Sequence, residues 1–291
     1  MIKKEDILSI EKILNNKKIV YSELLSNSFG INCIKFLTND KKKYIAKYYI
    51  EQSLDFNAIK SETRNLIYLN NLSLEFFPSI ISNDNKFIII SFIDNNGIQP
   101  DETREDLLRA ITTLHSIKNG HYGFDFETQI GGLKQKNNVS NNWVNFYRDY
   151  RLSYIFELIN SDQMMDKSIN NKIEVLLKNL ENYIPKTPIA SLLHGDLWAG
   201  NILFNNRKFV GFIDPGSFYG HNELEIAYLR WFNHEFIDKN FLSKYNDVIN
   251  IGEEYLNYEP IYQLYYSLLN VHLWDRAYIK DVERLLNKIK I

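Results

Sequence analysis

The stretch from Ser191 to Gly216, SLLHGDLWAGNILFNNRKFVGFIDPG, constrains this chain more than any other. An apolar lead-in, Ser191-Leu192-Leu193, delivers a polar loop, His194-Gly195-Asp196-Leu197-Trp198-Ala199-Gly200-Asn201. Ile202-Leu203-Phe204 reads as a short strand, Asn205-Asn206-Arg207 as turn chemistry, and Phe209 to Ile213 as a second strand. Asp214 stands where that second strand ends, so the predicted hairpin returns it toward the loop carrying Asp196 and Asn201. An Asp, an Asn five positions later and a second Asp after a hairpin suit phosphoryl transfer. Mg2+ is a hard ion that takes carboxylate and amide oxygens and keeps some of its waters, which fits Asn201 and Asp214. Asp196 is then placed to take the proton of an acceptor hydroxyl. The competing reading is a polar hairpin loop with an Asx turn and incidental acids, and Asp214 at the strand end weighs against it.

At 291 residues the chain is long enough for one large or two modest cores. A net charge of −2 gives no basic excess to suggest nucleic acid, and no apolar run approaches a membrane span. A single cysteine, Cys33, excludes an internal disulfide framework. The opening MIKKEDILSIEKIL is amphipathic rather than a signal peptide, so a cytoplasmic protein is expected.

Taken in order, Ile7, Ile10, Ile13 and Leu14 recur at helical spacing. Ile19 to Leu25, Phe29 to Leu37 and Lys43 to Tyr49 read as three strands, with Gly30 at the first turn. Lys47 alternates onto the face opposite Ala46 and Tyr48. A lysine in so apolar a strand serves either phosphate contact or edge protection. Residues 57–72 read as a helix carrying Glu62, which either pairs with Lys47 or is a solvated charge beside Arg64. Residues 79–81 and 86–92 complete a sheet, and Ser91, Phe92 and Ile93 stand either where backbone groups would read an adenine edge or in a plain buried strand. Residue 93 is the expected boundary, with lobes at 1–93 and 94–291. Beyond it, helices are predicted at 103–117, 143–159, 170–183, 224–232, 239–256, 259–275 and 275–290. Residues 122–142 read as a long polar loop of the functional kind, and Gly216 and Gly220 as flanking a tight loop.

The chain resembles the fructosamine kinase (ketosamine 3-kinase) family, within the protein-kinase-like fold shared with aminoglycoside and choline kinases. His194 to Asn201 resembles the family's H-G-D-L-W-S/A-G-N, Ile213 to Gly216 its I-D-P-A/G, and Tyr219 to Glu223 its Y-G-H-R-E. Tyr122-Gly123-Phe124, Ile130-Gly131, Gln135, Asn137, Trp143, Phe146, Arg151 and Leu152 resemble its central loop and following helix. The resemblance implies an α+β fold with two lobes: a small antiparallel-sheet N-lobe with one main helix, and a larger, mainly helical C-lobe. It implies ATP and Mg2+, with Asp196 as base, Asn201 and Asp214 as metal ligands, and Lys47 on the phosphates held by Glu62. Trp198 would wall the sugar-amine, Gln135 and Asn137 would contribute specificity, and His221 and Glu223 would either touch substrate or brace the loop. The implied reaction phosphorylates the sugar 3-hydroxyl of a ketoamine, free or protein-borne. Alternatives are an aminoglycoside- or choline-type kinase, and a nucleotide-binding pseudokinase without turnover. Three positions depart from the pattern. Only Gly30 remains of the glycine-rich turn, here Ser28-Phe29-Gly30-Ile31; Ser91 replaces a usual glutamate; and Glu225 replaces a usual aspartate. Cys33 lies beyond the turn, so the redox role proposed for a turn cysteine in some members does not transfer to it.

Overall fold

The structure, a computed structural model, describes residues 4–50, 56–99, 104–232 and 237–289. The chain forms two compact units. The first comprises Met1–Asp101, Gln129–Lys134 and Ile202–Pro215; the second comprises Glu102–Thr128, Gln135–Asn201 and Gly216–Ile291.

In the first unit, helix α1 (Lys4–Ile13) precedes strands β1 (Ile19–Ser28), β2 (Ile31–Thr38) and β3 (Lys43–Tyr49). Helix α2 (Ala58–Asn71) and strands β4 (Ile80–Asn83) and β5 (Phe87–Ser91) follow, and the antiparallel sheet runs in the order β1-β2-β3-β5-β4. Period-2 alternation puts Ile34 and Phe36 of β2 and Tyr44 and Ala46 of β3 into one core with Ile89. Ile10 of α1 and Leu14 just beyond it, four residues apart, join that core. Lys47 and Cys33 are directly opposed in the β2–β3 register. Asn57 starts α2, its side chain accepting from the Lys60 amide at 2.8 Å. Ile59, Glu62, Leu66 and Leu69 share the buried face of α2, so Glu62 is not the solvated charge that its neighbour Arg64 suggests. The hairpin β10 (Ile202–Asn205) and β11 (Lys208–Phe212) turns at Asn206 and Arg207, with φ of 48° and 68°. Two left-handed residues are what a two-residue hairpin turn needs to match strand twist.

In the second unit, helix α3 spans Glu105–His115; residue 103, where the helix was expected to begin, lies outside the described residues. Strands β6 (Lys118–Asn119), β9 (Ala190–Leu193) and β12 (Phe218–His221) form a sheet in the order β12-β9-β6. Sequence reasoning expected a tight loop where β12 lies. Instead Phe218 pairs with Leu193 and His221 with Ala190, because Phe218 and Tyr219 have buried places to fill beside β9. The stretch expected to be a long loop carries a hairpin, β7 (Thr128–Ile130) and β8 (Leu133–Gln135), turning at Gly131-Gly132. The helix predicted from Trp143 divides into α4 (Trp143–Tyr147), a π-helical turn (Arg148–Leu152) and α5 (Ser153–Asp162). Arg151 in that turn is fully buried, with its guanidinium 4.8 Å from the Phe146 ring and 4.0 Å from the Phe218 ring. The helices α6 (Lys167–Lys178), α7 (Asn222–Phe232), α8 (Lys239–Asn246), α9 (Tyr255–Leu273) and α10 (Ile279–Lys288) complete the unit. α9 is buried on nearly every side, and its tyrosines place hydroxyls inside the core where they find partners. Tyr262 accepts from Trp143 Nε1 at 2.8 Å, and Tyr258 donates to Glu223. Among the described residues, no helix is long and apolar enough to cross a membrane.

Candidate active site

Three charged side chains meet in the first unit. Lys47 Nζ donates to Glu62 Oε1 at 2.7 Å and to Asp214 Oδ1 at 2.5 Å. Strand β3 supplies the lysine, the buried face of α2 the glutamate, and the residue two beyond β11 the aspartate. Burial alone would lower the Lys47 pKa, but the Asp214 and Glu62 carboxylates outweigh it and hold the ammonium above its ordinary value. Lys47 is therefore a permanent cation. Two carboxylates share this one ammonium, which leaves the set one negative charge in excess, and the Asp214 side chain is 42% exposed. That is the charge and donor chemistry that a hard divalent cation fits. Asp214 has φ of 57°, a conformation uncommon for a non-glycine residue, and its ion pair helps fix it there. Cys33, opposite Lys47, has its thiol pushed up to about 11 by burial, so it stays protonated and weakly nucleophilic.

The second unit holds the loop after β9. His194 and Gly195 donate their amides to Glu225 Oε2 and Oε1 at 3.0 and 2.7 Å. Gly195 has φ of +87°, and a Cβ there would come within 2.1 Å of the Gly216 carbonyl oxygen. Only glycine can let the loop pass this close to Gly216. The Asp196 carbonyl accepts from Asn201 Nδ2 at 2.8 Å and from the Trp198 amide at 3.3 Å. The donor end of the Asn201 amide is thus spent inside the loop, and its oxygen is the end suited to a cation. The Tyr228 hydroxyl, on α7, is 3.5 Å from Asp196 Oδ1, and the Tyr228 ring stacks face to face on Tyr266 at 3.6 Å. Trp198 is half-buried, with its indole folded against Gly200.

Glu225 anchors this loop. Burial would raise its pKa, but hydrogen bonds from His115 and the loop amide, with the nearby His115 and His194, keep it below the ordinary value. His115 Nε2 lies 2.9 Å from Glu225 Oε2, and His115 Nδ1 lies 2.8 Å from the Tyr245 hydroxyl. Sequence reasoning assigned no site role to His115 or Tyr228. The available signal was spacing: Glu225 and Tyr228 are three apart on α7, hence on one face.

Gln135 is buried, with its amide donating to the Gly216 carbonyl at 3.2 Å. Asn137 is buried between Arg151, which donates to its oxygen at 2.7 Å, and Thr128 Oγ1 at 2.8 Å. His221 Nδ1 lies 2.8 Å from the Tyr262 hydroxyl, and burial lowers its pKa to about 3, so the ring is neutral. Glu223 accepts from the Gly252 amide at 2.6 Å and from Tyr258, and burial raises its pKa. The described hydrogen-bond partners of His221 and Glu223 thus lie on α9 and at Gly252. In the first unit, the Ser91 amide donates to the Ser79 carbonyl at 2.9 Å, and Ser91 Oγ accepts from the Ser79 amide. Phe92 lies beneath the Lys35 and Lys43 ammonium groups at 4.9 and 5.5 Å, and the Ile93 carbonyl accepts from Asn95 Nδ2 at 2.9 Å. Gly30 occupies the β1–β2 turn with φ of 71°.

Several known proteins are similar to this chain. A "Probable ketoamine kinase" of Vibrio parahaemolyticus is 25% identical over 289 residues, covering 98% of this chain and 96% of that protein. The chloroplastic protein-ribulosamine 3-kinase of Arabidopsis thaliana is 31% identical over 195 residues, covering 66% of this chain and 58% of that protein. Among solved structures, a Thermobifida fusca protein described as a fructosamine-3-kinase superposes with a TM-score of 0.84 at 20% identity, covering 97% of each chain. An ADP-bound aminoglycoside phosphotransferase, APH(2'')-Ib, superposes with a TM-score of 0.66 at 19% identity, over 99% of this chain and 98% of that one. The fold is therefore the kinase-like α+β fold. The sequence profile described as fructosamine kinase matches residues 13–291, which include Lys47, Glu62, the Asp196 loop and Asp214, and this chain belongs to the fructosamine kinase family.

Proposed function

We propose that this protein transfers the γ-phosphoryl group of ATP to the sugar 3-hydroxyl of a ketoamine, a fructosamine- or ribulosamine-type adduct. The observation that carries the reading is the 194–201 loop, in which Asp196 and Asn201 are held in one hydrogen-bonded turn beside a half-buried Trp198. Family membership and the names of the relatives support the substrate class.

Lys47, kept protonated by Glu62 and Asp214, is suited to bind phosphate oxygens. Ile202 pairs with Phe212, and Asn201 and Asp214 flank this hairpin in sequence; both offer oxygens of the kind Mg2+ takes. Magnesium, when bound, would neutralise charge on the phosphoryl oxygens. Asp196 would accept the proton of the attacking hydroxyl, with Tyr228 orienting its carboxylate. The exposed face of Trp198 would cover the apolar face of the sugar or its linking methylene, and Gln135 and Asn137 would contribute specificity. Ser91, Phe92 and Ile93 would present backbone to adenine. A single cysteine, which allows no internal disulfide, fits work in a reducing compartment such as the cytoplasm.

The test is phosphate transfer from ATP with Mg2+ to ribulosamine, fructosamine, kanamycin and choline in parallel. Turnover of a ketoamine with phosphate on the 3-hydroxyl by NMR is expected. Turnover confined to kanamycin or choline, or nucleotide binding without transfer, would refute the reading.

A further inference from the structure

We infer that the tip of the β7–β8 hairpin is a brace for the nucleotide side of the active site: it sets the Ser28–Ile31 turn through Phe29 and fixes the Glu62 carboxylate through Gln129. The inference rests on the proposal that Lys47 and its surroundings bind ATP.

The turn itself raises the question. Ser28 pairs with Ile31, so Phe29 and Gly30 are the two central residues of a tight hairpin, with φ of 53° and 71°. Such a turn takes glycine, asparagine or aspartate by default, because a side chain at positive φ crowds the backbone. Phenylalanine there is held by its surroundings rather than by its own preference. What holds it is visible: a Cβ built on Gly132 would come within 2.7 Å of Phe29 Cγ and 2.9 Å of Phe29 Cβ. The Phe29 side chain therefore rests directly on the Gly132 backbone, where any other residue would displace it. Gly132 has φ of +80° and Gly131 of +51°, so this tip is a specific, glycine-dependent shape.

A second contact comes from the same tip. Gln129 Nε2 donates to Glu62 Oε2 at 3.4 Å, while Glu62 Oε1 receives Lys47 at 2.7 Å. The two oxygens of one buried carboxylate are thus engaged from two sides, which fixes its rotation and, through it, the position of the Lys47 ammonium. Gln129–Lys134 also clusters with the first compact unit, although Thr128 and Gln135, at the hairpin's outer ends, belong to the second. A segment that the sequence suggested for acceptor specificity thus contributes its tip to the nucleotide side. This accounts for the missing glycines: the turn is shaped by packing instead of by backbone freedom. Gln129 and Gly132 are positioning residues, acting through Glu62 and Phe29.

The experiment measures ATP affinity by calorimetry with Mg2+ and no acceptor, hydrogen exchange of the residue 28–31 amides without nucleotide, and steady-state kinetics. Gly132→Ala should weaken ATP binding about tenfold and speed exchange at 28–31. Gln129→Ala should weaken binding several-fold, and Gln129→Glu, which sets a like charge on Glu62, should weaken it more. The losses should fall on KM for ATP more than on kcat. In a Phe29→Gly background, where no ring remains to be displaced, Gly132→Ala should lose most of its effect on affinity. Wild-type ATP affinity and exchange in Gly132→Ala and Gln129→Ala would overturn the brace, as would an equal Gly132→Ala loss in both backgrounds. Wild-type protein that binds no ATP would overturn the nucleotide reading itself, and the brace with it.

Discussion

Replacing Glu225 by glutamine tests the loop architecture most directly. The wild-type carboxylate accepts from Gly195 N on Oε1 and from His194 N and His115 Nε2 on Oε2, all while buried. Glutamine keeps the shape but has one oxygen and one NH2 group. If its oxygen takes the Gly195 amide, its NH2 faces the His194 amide, donor against donor. If it is flipped, the Gly195 amide loses its acceptor. One buried N–H goes unpaired either way, at about 1–3 kcal/mol. His115 can adapt by presenting a neutral Nε2 as acceptor, so it adds little to the cost. For a unit of this size, about 2–10 °C of melting temperature should be lost. The unpaired amide belongs to the residue next to, or two before, Asp196, so the proposed base should also shift. A displacement of about 1 Å can cost on the order of a hundredfold, so kcat should fall by roughly 10- to 100-fold with KM for ATP much less affected. Glu225→Asp keeps the charge but is one methylene shorter. It can hold the loop amides or His115 but not both, and should fall between the two. Thermal unfolding and initial rates with a ketoamine are the assays. A Glu225→Gln protein with wild-type melting temperature and kcat would refute the reasoning.

Three further outcomes are expected. Asp214→Ala should leave Lys47 paired with Glu62 and the fold intact, yet reduce kcat by about 10^2- to 10^3-fold and remove most of the Mg2+ dependence of ATP affinity; titration with and without Mg2+ checks this. Trp198→Ala should lower kcat/KM for a ketoamine by roughly 10- to 100-fold while slow ATP hydrolysis without acceptor survives, and equal losses in both reactions would argue against a sugar wall. His221 should give acid sensitivity. Its pKa falls from 6.5 unfolded to about 3 folded, so its contribution is complete above pH 6.5 and is lost as pH falls toward 3. The total is a few kcal/mol, about 1.4 per pH unit. Denaturant midpoints from pH 7 to 4 should therefore decline less steeply in His221→Asn than in wild type.

The residues proposed to bear the chemistry, and most of the elements carrying them, are legible in the sequence alone. Asp196, Asn201 and Asp214 are ordered along one strand-loop-hairpin segment, and β3 was readable to its end residues because alternation and turns are local properties. The partnership of Lys47 with Glu62 was inferred from the order of elements, and the buried face of α2 decided it. Other features depended on contacts distant in sequence. Whether Phe218–His221 is strand or loop depends on β9, some twenty-five residues earlier and already in place to pair with it. The roles of His115 and Tyr228 depend on what Glu225 and Asp196 present to them across the helical unit. His221, Glu223 and Asn137 carry side chains that could serve a site or a core, and only burial against Tyr262, Tyr258 and Arg151 shows which surroundings they have. The hairpin at residues 128–135 was hidden because its glycines and polar residues have the composition of a loop, and its tip takes its shape from Phe29, a hundred residues away. Local periodicity records what a residue prefers; which buried polar groups are satisfied, and by whom, is fixed only when distant segments pack together.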